Sequence, residues 1–364
     1  MKPSMRRRPP RRVLRTAVAV VLVSMPVGAC SIPESNAPAP RNVTITALTP
    51  EQAEEAVGQG GYSSPHTEPM PTESGWVQVF DELPADGRTG ASLIISRDEN
   101  EAVQWAVSTD RPAASSDVLE KTHAPQARTD SMGNNLLTMT NYVYGYAISD
   151  PSGARMSLIL APDETDRDAP DETGYNAAKN AKEDEDSNAA IAEQRSHVLV
   201  LDTATGETVR VVEVDGMVLG QALTSDELVV ETAQRYFPGD SGQGALHVFS
   251  LTDPAAEPLT LPTDKWVVGS GASSVLLSQR PPADRCLRTA CGPTALTVLG
   301  TDGTELTTVT GVDGLLDSRS IRRFTDPAAA VALTLNENAL PRREWEAAWD
   351  GLEVEIIPFD DVAP

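Results

Sequence analysis

Short runs of Val, Leu, Ile and Thr, each bounded by Gly, Pro, Asn, Asp or Ser, follow one another from Asn42 onwards. Apolar and β-branched runs of this length with turn residues between them predict β-strands. The first group is Val43–Ala47, Trp76–Phe80, Ala91–Ser96 and Val103–Ser108, then Asn135–Ile148 and Arg155–Leu160, joined by the turn Asp150-Pro-Ser-Gly153. A second group is His197–Asp202, Thr208–Glu213, Val218–Leu223, Leu228–Thr232, Ala245–Leu251 and Trp266–Gly269. The last is Ser274–Ser278, Ala295–Gly300, Glu305–Val309, Ala329–Leu335 and Glu353–Pro358. Helical patterns are few. Glu51–Val57 reads as two helical turns, and Pro341–Trp349 as a short helix with proline at its start and Gly351 past its end. Trp345 and Trp349 fall on one face of that helix, as a packing stripe does.

The strands repeat. His197-Val-Leu-Val-Leu-Asp202, His247-Val-Phe-Ser-Leu-Thr252 and Thr297-Val-Leu-Gly-Thr-Asp302 begin 50 residues apart. Each opens a hairpin with a small or acidic turn, best seen in Asp202-Thr-Ala-Thr-Gly-Glu207 and Thr301-Asp-Gly-Thr-Glu305, and further strands follow. Four strands per 40 to 50 residues is the period of propeller blades, which bury their faces against one another. The segment His197–Val212 resembles the outer hairpin of quinoprotein-like and related bacterial β-propellers, which write a similar Asp-x-x-Thr-Gly-Glu turn. That resemblance covers about residues 197–310 and speaks for fold, not for function.

From Val43 to Pro358 there are 316 residues, which at about 45 to 50 per blade gives six or seven blades. Discounting two stretches without strand pattern, Asp110–Ser131 and the acidic run Pro162–Arg195, lowers the minimum to five. The acidic run is low in apolar residues and high in charge, so it is expected as a disordered excursion from a hairpin. The final strand, Glu353–Pro358, is expected to close the ring. An alternative makes 43–134 a separate β domain.

The first 29 residues have a different grammar. Lys2, Arg6, Arg7, Arg8, Arg11, Arg12 and Arg15 precede an apolar run, Thr16–Ala29, that is shorter than the roughly 20 residues needed to span a bilayer. A basic segment followed by a short apolar one is the layout of a cleavable export signal. Val27-Gly28-Ala29-Cys30 resembles the lipobox of bacterial lipoproteins. The resemblance implies that residues 1–29 are removed, that the Cys30 thiol carries diacylglycerol, with palmitate-type acylation, and that the mature chain sits on the outer face of the cell membrane. Residues 30–42 are rich in Pro and small polar residues, as a spacer between anchor and body would be. Arg11-Arg12-Val13-Leu14 also resembles the core of a twin-arginine signal, so the export route stays open.

Charge narrows the partners. The chain has 29 basic and 53 acidic residues, and the seven basic residues of the signal leave with it, so the mature protein is near −31. That sign excludes nucleic acid, whose binders present basic faces, and keeps the body off anionic surfaces. Only five of the basic residues are lysine, a usage resembling that of high-GC bacteria of actinobacterial type. Besides Cys30 the chain has only Cys286 and Cys291. In an exported protein this pair is expected as a disulfide staple across a loop. Four residues lie between them, against the two of redox pairs, and no histidine lies nearby to complete a zinc site.

Candidate chemistry is thin. Gly239-Asp-Ser-Gly242 matches the tetrapeptide around the nucleophile of chymotrypsin-like proteases. None of His66, His123, His197 and His247 has the context of that family's catalytic histidine. The tetrapeptide lies between two strands, where such residues suit a loop. Asp163, Asp166, Asp168, Asp171 and Glu172 lack the spacing and glycine of a calcium loop. Quinoprotein dehydrogenases would bring vicinal cysteines, which Cys286 and Cys291 are not, so no cofactor is carried over. The sequence therefore leads to an all-β propeller with few short helices over 43–364. It is expected to be tethered through Cys30 and to act as a scaffold for an envelope protein partner, more a binder than an enzyme. The rival is a small-ligand or enzymatic propeller using its central channel.

Overall fold

The computed structural model describes residues 43–58, 69–81, 91–114, 128–129, 135–136, 146–161, 195–233, 244–279, 294–316, 320–335 and 341–362. Cys30, Cys286, Cys291, the Gly239–Gly242 tetrapeptide and residues 162–194 of the acidic run lie outside these residues, as do His66 and His123. Residues Val43–Pro364 form one compact unit.

The alternating strands assemble as successive antiparallel sheets. The first contains β1 (Ile45–Leu48), β2 (Met70–Thr72), β3 (Gly75–Asp81), β4 (Ser92–Arg97) and β5 (Val103–Thr109), in the order β1-β5-β4-β3-β2. A short pair follows, β6 (Arg128–Thr129) with β7 (Asn135–Leu136). The second sheet is the meander β8 (Ala147–Ser149), β9 (Arg155–Leu160), β10 (Arg195–Asp202) and β11 (Thr208–Asp215). The third is β12 (Met217–Leu223), β13 (Glu227–Ala233), β14 (Gly244–Ser250) and β15 (Leu259–Thr263). The last is six-stranded, running in chain order through β16 (Trp266–Ser270), β17 (Ser274–Ser278), β18 (Thr294–Gly300), β19 (Glu305–Leu316), β20 (Ser320–Phe324) and β21 (Val354–Pro358).

That six-stranded sheet is two blades sharing a strand. The first half of β19 pairs with β18 up to Val312, and from Val312 to Leu316 it pairs with β20. Gly311, at φ +80°, and a bulge at Val312–Gly314 mark the handover. Five blade-type sheets thus stand among the described residues, the lower end of the sequence expectation. The 50-residue repeat falls on the third strands β10, β14 and β18, each opening the outer hairpin of its blade.

Blades are held face to face. The first strands β8, β12 and β16 lie against one another, as the inner strands of a propeller do. Val77, Val79, Ile94 and Trp105 of the first sheet pack on Met156, Leu158, Leu199 and Leu201 of the second. The other face of the second sheet gives Ile159, Val198, Val200 and Val212 to Leu223, Leu228, Val230 and Phe249 of the third. Ala222, Val229, Leu246 and Val248 then meet Val267, Val275 and Leu277. The far face of the first sheet, Phe80, Leu93, Ile95 and Ala106, is covered by Ala53 of helix α1 (Pro50–Gly58). Thr49 and Gln52 cap that helix reciprocally, Thr49 N–H to Gln52 Oε1 at 2.9 Å and Gln52 N–H to Thr49 Oγ1 at 3.3 Å.

Ala329–Leu335, expected as a strand, is instead part of helix α2 (Pro327–Leu335). Asp326 Oδ1 accepts the N–H groups of Ala328 and Ala329 at 3.1 Å, and proline stands at the first helical position. The cap and the alanine run outweigh the apolar content that suggested a strand. The other late helix is as expected: α3 (Arg342–Asp350) starts after Pro341 and ends at Gly351, and Trp349 packs edge-on against Phe324 at 5.2 Å between ring centroids. Helix α4 (Phe359–Val362) follows β21. Among the described residues no helix is long and apolar enough to cross a membrane.

Turn aspartates account for part of the acidic composition. Asp98, Asp202, Asp253 and Asp302 each accept the N–H two residues on through Oδ1, closing Asx turns, and Asp150 Oδ1 accepts Arg155 N–H across its turn at 3.1 Å. In the Asp202 turn, Gly206 adopts φ +73°, and a Cβ there would stand 2.7 Å from the Trp105 ring. Trp105 Nε1 in turn donates to Thr203 C=O at 2.8 Å, locking the first sheet to the second. Substituting Gly206→Ala adds a left-handed backbone penalty of about 1 kcal/mol and overpacks a buried indole at about 1–3 kcal/mol. The expected outcome is a fall in stability of about 2 kcal/mol or more with a shift in tryptophan emission, measured by denaturant titration.

Candidate functional site

Antiparallel meanders put two kinds of connection at opposite ends of each blade. At one end lie the turns 150–154, 224–226 and 271–273 between first and second strands, with 203–207, 251–258 and 301–304 between third and fourth. These turns are tied to one another: Thr203 N–H bonds Ala154 C=O at 2.9 Å, Ser225 N–H bonds Ala272 C=O at 3.0 Å, and the Arg155 guanidinium donates to Ser225 C=O. At the other end the second strands finish at Leu160, Ala233, Ser278 and Phe324, and the third strands begin at Arg195, Gly244, Thr294 and Val354. The connections between them are 161–194, 234–243, 279–293 and 325–353. Several features singled out in the sequence belong to this set: the acidic run, Gly239–Gly242, the Cys286/Cys291 pair and the helix carrying Trp345 and Trp349. Side by side in space, the strand ends form one rim.

The described part of that rim carries a belt of polar side chains. His197, His247 and Thr297 occupy matching positions, paired across the ladder with Leu160, Val230 and Leu277. Buried His197 receives the Arg111 guanidinium on Nδ1 at 2.7 Å, which leaves its ring proton on Nε2, 3.4 Å from Glu213 Oε2. His247 meets Thr232 Oγ1 at 2.9 Å through Nε2 and Thr260 Oγ1 at 3.2 Å through Nδ1. Burial pulls its pKa below the ordinary imidazole value, against a smaller opposing pull from the Asp215 carboxylate. Thr297 Oγ1 accepts from Lys265 Nζ at 2.7 Å. Both ring nitrogens of each histidine are thus spent on the protein itself. The belt joins strands and blades.

One member departs from the repeat. Glu231 is 3% exposed and sits where the neighbouring blades place Ala161 and Ser278. Its Oε2 accepts the Val267 N–H of the next blade at 2.8 Å. Val267 lies at a bulge in β16, where the register slips before Gly269, so this N–H turns away from its own sheet and needs an acceptor. Burial pushes the Glu231 carboxyl up to about 8, and the Val267 bond lowers it less. The same kind of bulge occurs at Val218–Gly220 and Val312–Gly314. A Val-x-Gly triplet therefore marks the inner strand of three blades, and it recurs in the sequence at Val143-Tyr-Gly145, outside the described residues. That triplet was the readable sign of the inner strands. At Gly269 a Cβ would lie 2.3 Å from the Phe359 ring, so the bulge glycine also admits the following blade's helix α4.

No protein-family profile matches the chain, and no curated protein does. Among solved structures, the β-propeller domain of the Trilobed protease from Pyrococcus furiosus aligns at 9% identity and TM-score 0.34, over 81% of this chain and 68% of that one. BamB from Moraxella catarrhalis aligns at 12% identity and TM-score 0.30, over 70% and 57%. An acylaminoacyl peptidase from Pyrococcus horikoshii aligns at 9% and TM-score 0.33, over 71% of this chain and 42% of that chain, less than half the peptidase's length. Scores this low carry nothing about chemistry or assembly.

The raised pKa of Glu231 has a signed consequence. Between the unfolded value of 4.5 and the folded value of about 8, the folded protein holds a proton that the unfolded chain releases. Stability contributed by this group is complete below pH 4.5 and is lost as pH rises, at up to about 1.4 kcal/mol per pH unit. Glu231→Gln keeps an acceptor for Val267 and has no proton to lose. The variant is expected to gain on the wild type steadily from pH 5 to 8 and to hold a constant lead above pH 9, read from chemical denaturation across that range.

Proposed function

We propose that this chain is a lipid-anchored propeller module on the outer face of a bacterial cell membrane, where it serves as a scaffold for another envelope protein. The observation that carries the reading is the Val27-Gly-Ala-Cys30 junction behind seven basic residues and a short apolar run, followed by a Pro-rich spacer and a β-propeller body. A diacylated cysteine holds a protein stably because each buried methylene contributes about 0.8 kcal/mol and two chains act together. The body supports binding over reaction in two ways. The rim histidines are consumed internally, and the longer connections are collected at one end of the blades, where loops on a rigid scaffold contact partners. The strongly negative mature charge keeps the body off the anionic surface to which it is tied.

In a bacterial host fed labelled palmitate, the full chain is expected to take up label and sediment with membranes. Cys30→Ala is expected to abolish labelling and to leave an uncleaved precursor. Labelling that survives Cys30→Ala removes the anchor from this reading. Cys286 and Cys291 are proposed to be joined to each other in a disulfide. Intact mass after alkylation is expected to show both thiols protected until reductant is added, and a double serine variant is expected to lose roughly 2 kcal/mol of stability at most, because the closed loop is short.

A further inference from the structure

Among the described residues the fifth blade is one strand short. The second, third and fourth blades each end in an outer strand, β11, β15 and the first half of β19. The fifth has Val312–Leu316, β20 and β21, and among the described residues β21 has no partner on its outer side. Thr325 N–H donates to Glu353 C=O at 3.1 Å, and this fixes which residues of β21 bond inward. Glu353, Glu355 and Ile357 face β20 with their amide groups, so Val354 and Ile356 turn theirs outward, and Pro358 ends the ladder with a carbonyl and no donor. The same two residues are the uncovered ones: Ile356 is 64% exposed and Val354 42%. Natural sheet edges are usually blunted by lysine, bulges or a covering element, and a β-branched edge left open is a template for another strand.

We infer that β21 is a docking edge which completes the fifth blade with an extended, basic-flanked apolar strand supplied by a partner protein. The inference rests on the scaffold reading and gives its partner a chemistry. Backbone groups of Val354 and Ile356 supply the ladder, and alternate side chains of the incoming strand cover their exposed faces. Charge selects the occupant. Exposed Asp350 and Glu353 stand before the strand and exposed Asp361 after it, and residues 350–361 contain no Lys or Arg. Half-exposed Glu355, which alternates with Val354 and Ile356 along the strand, is already held by Arg323 at 2.6 Å. A second copy of this chain would bring the same acids against themselves, on bodies that each carry a net charge of −24 before processing.

The test uses the full chain and a synthetic peptide of alternating valine and threonine flanked by lysines, with a glutamate-flanked version beside it. Amide hydrogen exchange is expected to show Val354 and Ile356 exchanging freely alone and protected by the lysine peptide, which binds at least tenfold more tightly than the glutamate one. Ile356→Pro removes an outward N–H and no inward bond, so it is expected to keep its melting temperature and lose at least tenfold in peptide affinity. Slow exchange at these amides in the free monomer would mean that the chain's own residues fill the edge, and would overturn the inference. A dimer abolished by Ile356→Pro, or protection confined to other strands, would do the same. If an envelope partner cross-links equally to wild type and Ile356→Pro, the edge proposal fails and the scaffold reading stands. Peptide protection with no partner cross-linked in intact membranes upholds the edge and sinks the scaffold reading.

Discussion

A sheet built from Val, Leu and Ile on both faces cannot be left standing in water. Leu199 and Val198 are adjacent in one strand and point in opposite directions, and neither has measurable exposure. Two neighbours are therefore demanded of nearly every sheet, and each fully buried aliphatic side chain contributes about 1.5–3 kcal/mol when that demand is met. The radial stack is one answer, and the rest of the molecule follows from it. Inner strands must crowd together, so they bulge at Val-x-Gly. The displaced Val267 N–H needs an acceptor, so a carboxyl is buried at Glu231. Where the stack begins, α1 stands in for a blade.

The sequence made the strands legible because their period of two and their turn residues are local properties. Arg155–Leu160 and Ser274–Ser278 were readable to the residue for this reason. What stayed hidden depends on the neighbouring blade. Nothing near Val218, Val267 or Val312 announces a bulge until the inner strands are brought side by side, although the triplet itself repeats. Strand β20 was missed because Ser-Ile-Arg-Arg-Phe has too little apolar content, and β19 was cut short at Val309, since its continuation through Gly311 serves a different blade. Ala329–Leu335 misled because alanine and valine runs carry no period, and only the Asp326 cap decides for helix. Of the site, the matched His197, His247 and Thr297 are visible as a repeat, but their role as internal ties requires Arg111, Thr232 and Lys265, which only the fold brings beside them.

The two ends of the blades obey different rules. At one end, short turns are fixed by their aspartates and bonded to their neighbours, so that end sets the spacing of the blades. At the other, a polar belt secures the strand ends. Blade identity is held by the first end and individuality by the second.

The second kind of connection also bears on how such a chain can change over generations. Lengthening a surface excursion adds closure entropy only logarithmically, about 0.6 kcal/mol for each doubling. With Leu160 paired to His197 and Arg195 paired to Asp215, changes of length between these two strands are expected at little thermodynamic expense. The turn ends have less latitude: a residue inserted beside Asp202 would displace Thr203, whose carbonyl accepts the Trp105 indole of the preceding blade, and Gly206, which lies against that ring. A lineage built on this frame would thus accumulate its novelty at a single pole of the disc and keep the other nearly still.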